Sequence, residues 1–246
     1  IFIEINHLIT KKEFSDAAEL IQKIKAKYYS KKKEYPNINE IKTHLPKLLN
    51  FNQIEIKNAA ESLLLTIAKK DYSNISEMFK SYIGKIKQDI GGENHLIGDI
   101  ASIDIELAKP SISKLINNLK KHPEWNTRRF SAFNLGRIGE QHPELVKDAI
   151  PIMIDYIKKP FEVSKREPIK FEKVGVTFSM DLSAEKMLGV NQSDWLKDAY
   201  IDTLGMIAKG DNNLILPHRE LLKSLSVKDG SLYSRDKAKK VLQLLN

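Results

Sequence analysis

The sequence predicts an all-α protein, a right-handed α-solenoid of about six helical hairpins with a small β-hairpin inserted near 160–182. Three observations predict it. A helical unit recurs at a near-constant step. Its first helix is apolar on two sides, as a helix stacked between neighbours must be. No Gly/Ser-rich or Pro-rich linker divides the 246 residues, so a single array over 1–246 is expected rather than two globules.

The clearest unit runs from Trp125 to Ile157, WNTRRFSAFNLGRIGEQHPELVKDAIPIMIDYI. In its first half Ala132, Leu135, Gly136, Ile138 and Gly139 recur at helical spacing, and Phe130 and Phe133 form a second stripe. Each glycine inside a helix costs about 1 kcal/mol relative to Ala, which predicts a neighbouring helix approaching closely at Gly136 and Gly139. A second helix is expected from His142-Pro143, where a missing N–H costs nothing, with Val146, Ile150, Ile152 and Ile154 as its apolar surface.

The pattern returns from Lys197 (KDAYIDTLGMIAKG) and, upstream, from Lys57 (KNAAESLLLTIAKKDYSNI), with weaker copies near Ser15, Glu93 and Arg235. Counting the central unit from Arg128, the regular steps are 36, 35 and 38 residues, and the step from 128 to 197 is double. That gap holds an insertion, about 160–190, in which Ile169, Phe171, Val174, Val176, Phe178 and Met180 mostly alternate with polar residues. Alternation of this kind predicts a strand pair, which must lie on the solenoid or add to another chain's sheet edge.

LGRIGEQHPELV, with the arginine pair before it, resembles a HEAT repeat of the scaffold and adaptor α-solenoids. The resemblance covers most of the chain. It implies a ladder between repeats in which an acidic residue of a turn meets a basic residue opening the inner helix. Glu124 with Arg129 and Asp229 with Arg235 match that pattern, and Asn52 with Lys57 approximates it.

Composition narrows the function. With 41% hydrophobic and 29% charged residues the chain falls in the globular range. The absence of cysteine excludes disulfides, thiolate nucleophiles and cysteine-based zinc sites, and fits a reducing, cytoplasmic compartment. No apolar run approaches the ~20 residues of a membrane-spanning helix. The chain opens at Ile1 rather than Met, which leaves open an N-terminal segment cut off, processed or unseen. The net charge of +8 gathers toward the ends: residues 1–50 hold ten Lys against six acidic groups, whereas residues 151–200 hold eight of each sign. The run Lys31-Lys32-Lys33 reads as a solubilising helix end.

Nothing in the sequence frames an enzyme. The six histidines show neither H-x-x-x-H spacing nor the paired His-Glu motifs of the di-iron hydroxylases built on HEAT repeats, so no metal or cofactor is expected. There is no G-x-S-x-G elbow, and Gly91-Gly92 lacks the context of a phosphate loop. Asp194 and Asp198, at helical spacing, read as solvated face. HEAT-like alkylpurine DNA glycosylases, which bind duplex DNA with Trp, Tyr and Asp side chains on a basic concave surface, supply one alternative. Trp125 and Trp195, each just ahead of an inner helix and beside Arg128, Arg129 or Lys197, suit either a stacking strip or hydrophobic staples.

The expected function is therefore a non-catalytic scaffold that binds another protein through the concave face or the hairpin; a nucleic-acid binder with a basic concave surface is the alternative. Candidate contacts are Asn134 and Arg137, outside the apolar stripes, with Arg128, Lys197 and Lys209 near helix ends, and Phe171 and Val176 on the hairpin.

Overall fold

The computed structural model describes residues 1–30, 37–86, 96–159, 169–173, 176–180, 192–229 and 231–245, with backbone alone at 29–30, 85–86, 169–173, 176–180 and 192. Its helices fall into two compact units, Ile1–Asp89 and Ile90–Asn246.

In the first unit, α1 (Phe2–Thr10) packs on α2 (Phe14–Ser30), and α2 and α3 (Ile38–Leu49) both pack on α4 (Ile54–Ile86). Helix α3 starts where the Asn37 side chain accepts from the Asn39 N–H at 3.1 Å. Ile41, Leu45, Leu48 and Leu49 then repeat at helical spacing and are buried. Helix α4 is two helices joined at Asp71, whose backbone leaves the helical region (φ −148°, ψ 56°). Both Asp71 carboxylate oxygens accept from the Asn74 side-chain amide at 2.9 Å, a local contact across the start of the second half. The Lys57 copy of the repeat thus passes into its partner helix without a loop. Ile56, Leu63, Ile67, Ile75 and Phe79 fill the core on either side of the break; each is worth roughly 1.5–3 kcal/mol of apolar burial.

The second unit has two layers. One is a row of four neighbouring helices, α5 (Leu96–Ala101), α7 (Trp125–Gly139), α9 (Gln192–Gly210) and α11 (Leu232–Leu244). The other comprises α6 (Ile105–Lys121), packed on α5 and α7; α8 (Ala149–Lys158), packed on α6 and α9; and α10 (Arg219–Lys228), packed on α11. This is the layered helical repeat expected from Glu93 onward, except that α8 packs chiefly on α6 and α9, and α10 on α11, not on the inner helix that precedes each in the chain. The outer helix of the Trp125 unit differs from expectation: Pro143–Leu145 form a single 3₁₀ turn and the helix proper starts only at Ala149. The next unit repeats the device, with 3₁₀ turns at Asn212–Leu214 and Leu216–His218 before α10. In both units a proline near the start of a 3₁₀ turn fixes φ and dispenses with a donor, so the chain turns tightly before the α-helix begins.

The helical glycines sit where neighbours crowd them. A Cβ on Gly139 would lie 2.6 Å from Ile207 and 2.7 Å from Val146, and one on Gly136 would lie 2.7 Å from the Met206 sulfur. The cost of two glycines in α7 thus buys close packing of α7 against α9.

Within the insertion, Ile169–Lys173 (β1) pairs antiparallel with Val176–Met180 (β2), Phe171 standing opposite Phe178. The side chains of Phe171 and Val176, and residues 160–168, 174–175 and 181–191 altogether, lie outside the described residues.

Candidate binding surface

The residues expected at the rim of a binding face divide sharply. Asn134 is 1% exposed rather than outside the apolar stripes. Its side-chain oxygen accepts from the Gly98 N–H at 2.8 Å and its amide donates to the Phe130 carbonyl at 3.1 Å, so it joins α5 to α7. Arg128 is 7% exposed, and its Nε donates to the His122 carbonyl. Burial pushes its guanidinium below the ordinary arginine range, with the nearby hydroxyls of Tyr200 and Tyr156 acting in opposition. Lys197, 8% exposed, holds Asp229 through both carboxylate oxygens at 3.0 Å and Asp194 at 3.2 Å. Burial alone would lower its pKa, but the two carboxylates more than offset this and raise it. Arg137 pairs with Asp99 at 2.6 Å while its aliphatic stem lies against Gly98. Lys209 reaches Glu140 at 3.2 Å. All five act as struts between successive elements of the second unit.

The ladder expected between repeats takes a different form. Asp229 pairs with Lys197 of the preceding repeat, not with Arg235. Arg129 stands over the rings of Phe133 and Phe130, at 5.6 and 6.0 Å, instead of meeting Glu124. A basic residue opening one inner helix still meets an acidic residue in the next turn, with the roles shifted by one repeat.

A second group of side chains, mostly half-buried, converges elsewhere on the α7–α9–α11 row. Trp125 and Trp195, 70 positions apart across the insertion, bring their rings to 5.5 Å at an angle of 56°. Beside them a cleft of about 210 Å³ is lined by Arg129 and Phe133 of α7, Trp195, Asp198, Ala199 and Asp202 of α9, and Lys237 of α11. Helical spacing explains the set: Trp195, Asp198, Ala199 and Asp202 share one side of α9, and Arg129 and Phe133 lie one turn apart. Lys237 pairs with Asp202. Asp198 accepts a hydrogen bond from the Ser234 hydroxyl of α11 at 2.5 Å. Burial raises the Asp198 pKa, against the lowering effects of Ser234, Lys237 and Lys197.

Sequence reasoning identified the two tryptophans but not the cleft. Asp198 read as solvated face, and Phe133, Asp202 and Lys237 were not singled out as contacts. The available signal was the i, i+3, i+4, i+7 stripe from Trp195 to Asp202, polar where a core stripe would be apolar. Among the described residues no three His, Asp or Glu side chains are grouped to hold a metal ion, and no helix is long and apolar enough to cross a membrane.

No family model and no curated protein matches the chain. Among solved structures, an engineered protein from the Northeast Structural Genomics Consortium is similar with a TM-score of 0.50 and 14% identity, over 99% of this chain and 96% of that one. A designed armadillo repeat protein follows at TM-score 0.43 and 14% identity, over 94% and 93%. A second engineered protein from the same consortium gives 0.39 and 15%, over 94% and 54%. The first likeness bears on fold alone. Together with the layered packing of residues 90–246, it supports a helical-repeat architecture.

Proposed function

We propose that this protein is a non-catalytic scaffold that captures an extended segment of another protein across α7, α9 and α11, the row of helices read from the sequence as the concave face. The observation that carries the reading is the cleft, where a paired aromatic platform stands among charges of both signs. Neighbouring packed helices lie about 8–10 Å apart, so a strand laid over three of them spans roughly 20 Å, about six residues at ~3.3 Å each. Trp and Phe rings offer apolar anchors, while Arg129 and Asp198 offer a donor and an acceptor to a main chain. Lys197, Lys209, Arg137 and Lys237 each have a carboxylate partner, which removes much of the free positive charge that a phosphate backbone would seek. The β1–β2 hairpin is a second proposed contact, since a two-stranded ladder presents backbone edges to an added strand.

Selection from a random twelve-residue peptide library against the whole chain tests the proposal. Enrichment is expected on the parent protein and not on a Trp195→Ser, Phe133→Ser variant of equal thermal stability. Equal enrichment on both would remove the cleft from the account. The alternative, nucleic-acid binding, draws on Arg129 and the tryptophans; it predicts retention of single-stranded oligonucleotides instead of peptides.

A further inference from the structure

The proposed peptide site has a charge preference written into it. Three aspartates, Asp194, Asp198 and Asp202, follow one another at four-residue spacing along α9. Two of them are engaged by lysines: Asp194 by Lys197, and Asp202 by Lys237. Asp198, between them, faces the cleft with a neutral hydroxyl, Ser234, as its hydrogen-bond donor. One turn before it, Trp195 lines the same cleft, its ring tilted against that of Trp125. Across the cleft, Arg129 is turned onto Phe133 and Phe130. A carboxylate beside an indole ring that lines the same cleft is an arrangement that receives a cation, because the ring's negative face and the carboxylate attract the same charge.

We infer that the Trp195–Asp198 corner of this cleft is a subsite for a basic side chain, arginine above all, of an extended peptide. The inference rests on the peptide-binding reading above and specifies its ligand. A planar guanidinium can lie on the indole while directing N–H groups at Asp198, which a compact ammonium cannot do as well. Burial raises the Asp198 pKa, so affinity falls on acidification as the carboxylate gains a proton. Lys197 and Asp202 on the same helix, Ser234 and Lys237 on α11, and Arg129 on α7 are the polar and charged groups around it.

The chain contains two tryptophans, both at this surface, so intrinsic fluorescence reports it without a label. The probes are capped six-residue glycine–serine peptides carrying one central arginine, citrulline, norleucine or glutamate, titrated into the whole chain at pH 7. The arginine peptide is expected to change the emission saturably and to bind at least about tenfold more tightly than the citrulline peptide. In Asp198→Asn that preference is lost without loss of thermal stability. Equal binding of arginine and citrulline peptides, or preference for glutamate, overturns the cationic subsite and leaves the peptide reading standing. If no peptide changes the emission while a single-stranded oligonucleotide does, both readings fall.

Discussion

Asn134 shows how a single polar side chain can change its meaning between sequence and structure. On a helical wheel it falls between apolar stripes, and that placement made it a candidate contact. In the fold the same position meets the first turns of α5, where the Gly98 N–H requires an acceptor. Asn134→Ala would bury that donor without a partner, and a loss of about 1–3 kcal/mol in denaturant unfolding is expected. Lys197→Met should cost more, roughly 3 kcal/mol, because Asp229 would be left buried without its cation. Lys209→Ala removes a half-exposed pair with Glu140 and should stay within about 0.5 kcal/mol. Asp198 has the opposite sign. Its folded pKa is raised, so the ionised form is penalised in the native state and proton binding favours folding. Asp198→Asn is therefore expected to be at least as stable as the parent at pH 7. The difference should close as pH falls through the raised pKa, read as melting temperature against pH.

At the scale of helices, most of what periodicity can express was legible. Leu135, Ile138, Leu204 and Ile207 fall on the buried side as their spacing predicts, and the glycines of α7 mark the closest approach of α9. Gly139→Ala places a methyl against Ile207 and Val146, and a loss of about 1–3 kcal/mol is expected, measured by thermal and denaturant unfolding. Two features were not legible. Periodicity does not distinguish a 3₁₀ turn from the first turn of an α-helix, so Pro143 pointed to a helix start six residues early. Nor could it show that α4 breaks at Asp71 without a loop, since Lys69, Lys70 and Asp71 continue a helix-forming run. The cleft was hidden for a related reason. Its members come from three helices, and spacing along one chain segment says nothing of which side of α7 faces Trp195.

For the molecule as a whole, the net charge of +8 is the property most open to misreading. A basic protein with two tryptophans near arginines could bind nucleic acid, yet Arg137, Lys197, Lys209 and Lys237, four of the cations at the repeat junctions of residues 90–246, are engaged by carboxylates. The cleft itself is a charge-balanced mixture of Arg129, Lys237, Asp198 and Asp202 around aromatic rings. Such a surface favours short apolar and hydrogen-bonded contacts over counterion release. The most direct test compares a labelled peptide from the library selection with labelled duplex DNA, single-stranded DNA and RNA, by fluorescence anisotropy at two salt concentrations about fourfold apart. The account predicts peptide binding that changes by less than about tenfold between the two and disappears in the Trp195→Ser, Phe133→Ser variant, with no micromolar nucleic-acid binding at the lower salt. Micromolar nucleic-acid binding that falls steeply with salt, and is lost in the same variant, would contradict it.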